Sequence, residues 1–162
     1  MSSAPIGQVV LGAWPEAPLG ESDLREAIVA RAMASTRITA IVGERFRPRK
    51  KPQSDSLRQP EITFDVPRNR FGHFMWGANG TAVATVQFNC WARLTSEIVR
   101  MRNALRKTFD GYHGTVLGVE MWASQLGEVE IGDPSNDGSD DDIEHLAIDY
   151  RFKIRCSIPS PV

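Results

Sequence analysis

Apolar residues recur with two different periods along this chain, and the switches between them mark out its elements. In "SDLREAIVARAMAS" Leu24, Ala27, Ile28 and Ala32 fall three and four residues apart, the spacing of one helix face. Asp23, with Glu26 three residues on, reads as a capping box at the helix start, and the helix is expected to end near Ser35. "TRITAIVGERF" carries the chain past Gly43 with no element assigned to it. Residues 47–60, "RPRKKPQSDSLRQP", hold three prolines and a cluster of Arg and Lys, which predicts an extended surface loop.

The period then drops to two. "EITFDV" places Ile62, Phe64 and Val66 on one face of a strand, which Pro67 is expected to stop. "RNRFGHFMWGANG" reads as a turn-rich connection ending in an Asn79-Gly80 turn signal. In "TAVATVQFNCWARL" Val83, Thr85, Gln87 and Asn89 alternate with Ala84, Val86, Phe88 and Cys90, a long strand expected to pair antiparallel with 61–66. Helical spacing returns in "TSEIVRMRNALRKTFDGYHG". Ile98, Met101, Leu105 and Phe109 share one face, Arg100, Arg102, Arg106 and Lys107 point away, and Gly111 marks the end. "TVLGVEMWASQ" and "EHLAIDYRFKIRC" predict two further strands, the last alternating Leu146, Ile148, Tyr150, Phe152 and Ile154 with charged or small residues. The sum is an α+β fold of about four mainly antiparallel strands with two helices packed on one face. An N-terminal arm over 1–20, one domain over 21–158, a short tail over 159–162 and long charged loops complete the expected organisation.

Composition adds few constraints and charge adds more. A chain of 162 residues is long enough to bury a core without metal or disulfide. No apolar run approaches the ~20 residues a membrane span needs. The start "MSSAPIGQVVLGAWPEAPLG" has no basic secretory leader pattern, so folding in a reducing cytoplasm is expected. Cys90 and Cys156 lie in strand-like sequence and read as reduced packing residues. The net charge is −1, yet residues 37–70 hold nine Arg and Lys against four acids, while 114–149 hold ten acids and no Arg or Lys. Such asymmetry describes a surface that meets oppositely charged neighbours.

Candidate chemistry is sparse. No phosphate-cradling Gly-rich loop, GxSxG elbow or HExxH is present. His73, His113 and His145 are scattered and have no Ser or Cys in a nucleophile setting, so neither catalytic nor cofactor-binding residues are assigned. The basic run containing Arg45, Arg47, Arg49, Lys50 and Lys51 could neutralise several phosphates, but it lacks interleaved aromatics and any nucleic-acid-binding motif. A solvated loop, or one that docks on an acidic neighbour, fits better. "DPSNDGSDDDIE" puts Asp133, Ser135, Asp137, Gly138 and Glu144 at positions 1, 3, 5, 6 and 12 of a calcium loop. Position 8 is Asp140 where an aliphatic residue belongs, and the flanks are strand-like. The segment is therefore read as an acidic hairpin loop with no metal assigned. Its Asp137, Asp140, Asp141 and Asp142 join the five basic residues as candidate subunit or partner contacts.

Four stretches resemble the tail-completion, or head-to-tail joining, proteins of long-tailed bacteriophages, a family that includes tail terminators. They are "LREAIVARAMASTRITAIVGERFRP", "QPEITFDVP", "VQFNCWARLTSEIVRMRNALRKTFDGYHGT" and "IEHLAIDYRFKI". The resemblance spans roughly residues 24–156 and rests on order and short patterns. The arm at 1–20 and the loop at 127–142 have no counterpart in it.

The resemblance implies a structural virion protein of the tail and neck, assembled in the host bacterial cytoplasm. Such proteins form a ring, commonly of six subunits, that caps the tail tube and meets the head–tail connector proteins. Genomic DNA passes through without sequence-specific binding, and neither cofactor nor membrane takes part. Two alternatives stand beside it: a neighbouring minor tail or head-completion protein, and a small cytoplasmic binding module whose acidic loop binds calcium.

Overall fold

A computed structural model describes residues 21–48, 60–74, 77–131 and 143–155. Its elements run α1 (Glu21–Met33), α2 (Thr36–Val42), β1 (Phe46–Pro48), β2 (Glu61–Phe74), β3 (Gly77–Ala92), α3 (Thr95–Phe109), β4 (His113–Val116), β5 (Val119–Ile131) and β6 (Glu144–Arg155). The α+β class holds. Among the described residues there are six strands, not four, and three helices, not two. One sheet has the order β1-β2-β3-β6-β5-β4, antiparallel throughout except for β1, which runs parallel to β2.

The helical faces are those the spacing predicts. Leu24, Ala27, Ile28 and Ala32 on α1, and Ile98, Met101, Leu105 and Phe109 on α3, are buried. The helices lie against the sheet face formed by Ala84, Val86, Phe88 and Cys90 with Leu146, Ile148, Tyr150, Phe152 and Ile154. Phe88 is the hub: its ring lies 5.9 Å from Phe46, 5.8 Å from Phe64, 5.2 Å from Phe109 and 5.3 Å from Tyr150. Arg31 fastens α1 to α3, its guanidinium 3.8 Å over the Tyr112 ring and its Nη2 donating to the Thr108 carbonyl at 3.2 Å. Ser35 and Thr108 exchange a hydroxyl bond of 3.0 Å beside it.

Several boundaries differ from the expectation, each for a physical reason. The first helix starts at Glu21, so Asp23 lies within its first turn and is not the cap. "TRITAIV" is a helix despite four β-branched residues among its first six, because Ile38 and Val42, one turn apart, are both buried. Gly43 ends it at φ 57 and ψ −123, a conformation open to glycine. Pro67 does not stop β2. The register slips between Asp65 and Arg68, so the residue with no N–H sits at a bulge, where the ladder needs none. The strand then continues to Phe74, which pairs with Gly77, so the hairpin closes ahead of Asn79-Gly80.

"TVLGVEMWASQ" is not one strand but the turn of a hairpin with its arms, β4 and β5 joined through Leu117 (φ 49) and Gly118 (φ 78). Two successive positive φ values match the right-handed twist of a tight hairpin. The predicted antiparallel pairing of 61–66 with the long third strand is present, with Ile62 opposite Cys90 and Phe64 opposite Phe88. The start of the predicted loop at 47–60 is in fact β1, paired over Phe46–Pro48 with Ile62–Phe64. Among the described residues, no helix is long and apolar enough to cross a membrane.

Candidate interaction surface

With helices on one face, the other face of the sheet is free of described elements, and strand alternation decides what it displays. Residues of one parity on β3 and β6 are Val83, Thr85, Gln87, Asn89 and Trp91, beside Lys153, Arg151, Asp149, Ala147 and His145. At one end of this face the indole of Trp91 stacks on the His145 ring, centroids 3.8 Å apart and nearly parallel, and its Nε1 donates to the Thr63 hydroxyl at 3.1 Å. His145 Nε2 donates to Asn89 Oδ1 at 2.8 Å. Burial lowers the His145 pKa below its ordinary 6.5, because the charged ring would lose water.

In the middle, Gln87 Nε2 donates to Asp149 Oδ1 at 3.1 Å. At the far end His113 stacks on Trp122 at 4.6 Å, with the Lys153 ammonium 5.9 Å from the same indole. Glu120 takes both His113 (3.5 Å) and Arg155 (3.3 Å). These are rigid aromatic plates edged by charge, held by short polar contacts, and they suit a protein contact better than a reaction.

The sequence-predicted contact residues fall unevenly. Arg45 stands at the root of the basic segment: its Nε donates to the Pro60 carbonyl at 2.8 Å, and its own carbonyl accepts from Ile62 N–H at 2.9 Å. It ties the two ends of the 46–60 excursion together. Arg47 lies in β1, half-buried, opposite Thr63. Arg49, Lys50 and Lys51, and Asp137, Asp140, Asp141 and Asp142, lie outside the described residues, as does most of the calcium-loop register. Its last member, Glu144, is described and accepts from the Thr95 hydroxyl at 2.6 Å. The sheet register does place the returning ends of both charged segments at one end of the sheet, since Glu61 pairs with Trp91 and Trp91 with His145. Two strand spacings, ~10 Å, separate them.

The described residues gather no catalytic constellation. His113 and His145 each lie flat on a tryptophan, with no thiol or hydroxyl nucleophile bonded to either. Cys90 is fully buried, and desolvation pushes its thiol up to about 12, which makes it a packing residue. Among the described residues no three His, Cys, Asp or Glu are grouped to hold a metal. The Trp–His plates were not foreseen from sequence. The available signal was a tryptophan and a histidine at facing register positions of adjacent strands, which appears only once the pairing is known.

No family model matches the chain. No curated protein is similar to it in sequence. Among solved structures, a chain from the virion of a native gene transfer agent (GTA) particle is similar in fold, with a TM-score of 0.65 at 13% identity, over 82% of this chain and 94% of that one. At that identity the likeness speaks for the fold.

Proposed function

We propose that this chain is a structural protein of a phage-like virion, and that it forms a ring capping the tail tube and joining it to the head connector. The observation that carries the reading is the fold shared over 82% of the chain with a chain of a virion particle. It agrees with the family resemblance of residues 24–156, which came from the sequence alone. The described surface is compatible with a scaffold role, since its two tryptophan–histidine stacks, the His145–Asn89 bond and the Arg155–Glu120 ion pair form fixed plates edged by charge that suit a protein partner.

Within the ring, the reading pairs the basic residues Arg49, Lys50 and Lys51 of one subunit with the acidic run holding Asp137, Asp140, Asp141 and Asp142 of the next. Both segments return to the sheet at one end, so pairing within a single copy is the competing arrangement. Reversing the three basic charges separates the two. Assembly is lost and the melting temperature kept if the contact is between copies; the monomer is destabilised if it is internal.

The role itself is tested by labelling intact particles with an antibody against this chain. Label at the head–tail junction is expected. Label along the tail shaft, on the head shell or on no particle would overturn the reading.

A further inference from the structure

The sheet has two stepped edges. β1 covers β2 only over Ile62–Phe64, so from Asp65 to Phe74 that side of β2 has no partner strand among the described residues. At the opposite edge β4 covers β5 over Val119–Trp122. The chain at Gly111 and Tyr112 extends the cover to Ala123, and the Asp110 carboxylate takes the Gln125 N–H. From Leu126 to Ile131 β5 is paired, among the described residues, on the β6 side alone. Leu126 and Val129 stand exposed there, with no proline in the stretch to blunt it. A free edge bearing exposed aliphatic residues is a template for another strand.

We propose that the β5 edge of one copy pairs antiparallel with the β2 edge of a second copy, joining their sheets. Three observations converge on that occupant. The first is sense: β2 and β5 run in opposite directions within one sheet, so a neighbour set alongside without flipping brings its β2 antiparallel to β5.

The second is shape. The neighbour's short β1 falls in line with the end of β5, and β4 falls in line with the neighbour's Phe74, so the steps interlock as a lap joint. The strand extents set Val129 opposite Arg70 to within a residue or two. Val129 aligns through Ala147 with Asn89, and Arg70 with Val83, two register positions of one parity on β3.

The third is charge. Pro48 ends β1 at the joint and is followed in sequence by Arg49, Lys50 and Lys51, while Ile131 ends β5 there and is followed by the run containing Asp133 and Asp137.

This register staggers neighbours by about six residues, ~20 Å, over four strand spacings of ~19 Å in all. Closing a ring then tilts the strands about 45° to its axis, near the tilt of closed barrels. The inference deepens the ring reading and rests on it for closure; strand pairing itself needs only a second copy.

The test is a cross-link in the purified chain. With Cys156→Ser as background, Val129→Cys and Arg70→Cys together should give, on mild oxidation, a covalent ladder of chain multiples, and neither single variant should. No ladder while the unmodified chain sediments as an oligomer would overturn the joint. So would an equal ladder from the control pair Val129→Cys and Val83→Cys, or an unmodified chain that stays monomeric at every concentration. Hydrogen exchange on the unmodified protein guards against a variant that misfolds. The alternate amides of 126–131 and 66–73 that face the free edge should gain at least about tenfold protection on assembly, and unchanged exchange there would equally overturn the proposal. A ladder combined with antibody label away from the head–tail junction would sink the tail-capping role and leave the joint standing, so the two failures are distinguishable.

Discussion

Tyr150→Phe should make this protein more stable. The ring is buried in the aromatic cluster, 5.3 Å from Phe88, 6.3 Å from Phe109 and 6.5 Å from Phe152, and phenylalanine would keep those contacts. The hydroxyl is fully enclosed and has no hydrogen-bond partner among the described residues. Burial drives its pKa upward, with the nearby Asp110 carboxylate adding to the rise, so it stays neutral at any ordinary pH. In the unfolded chain the same hydroxyl is bonded to water, and folding strips that bond without replacing it. An unpaired buried polar group costs ~1–3 kcal/mol, so its removal should stabilise the fold by about 1 kcal/mol after local relaxation. For a chain of this size that is a rise in melting temperature of about 2–4 °C. Urea unfolding with an unchanged m-value is the assay. Phe88→Ala, expected to cost ~3–5 kcal/mol at the hub of the same cluster, gives the scale. A Tyr150→Phe protein less stable than the parent by about 0.5 kcal/mol would mean the opposite, that the hydroxyl makes a net favourable bond in the folded chain.

Other consequences are simpler to state. His145 has a folded pKa depressed by burial, so its contribution is fully present above the unfolded value of about 6.5 and is lost as pH falls through the folded value. Melting temperature should decline in that window, and His145→Gln should flatten the decline; an identical profile would exclude His145 as its source. In a Cys156→Ser background, Cys90 should resist a thiol reagent at pH 8 in the folded protein and react fully in urea, and fast labelling of the native state would contradict its burial. Arg31→Met should loosen α1 from α3 at a cost of about 1–2 kcal/mol, read by chemical denaturation, since it removes a stacked cation and a charged donor to the Thr108 carbonyl. No loss would mean that the contact is incidental.

How far the sequence could be read depended on the kind of signal. Long periodic segments carried their own answer: the stripes of α1 and α3 and the alternation in β6 are buried where their spacing put them. Short elements did not. α2 was hidden by Thr36, Ile38, Thr39 and Ile41, whose branching argues against a helix until Ile38 and Val42 find a core to face. β1 is too short for its three residues to show a period, and it exists because Phe46 fills a place between Phe64 and Phe88. Pro67 looked like a stop because a bulge is invisible without the partner strand. The β4–β5 turn carries Leu117 where Asn or Gly would have announced it. The charged candidates show in the uneven distribution of Arg and Lys against Asp and Glu along the chain, which locates a patch but not its partner. The stacked Trp91–His145 and Trp122–His113 pairs depend on cross-strand register, so no single stretch could reveal them.

A ring at the end of the tail has a direct consequence for electron microscopy of lysates from the parent particle with this gene removed. Tubes of uncontrolled length, or filled heads and tails left unjoined, are expected. Normal, infectious particles would contradict it.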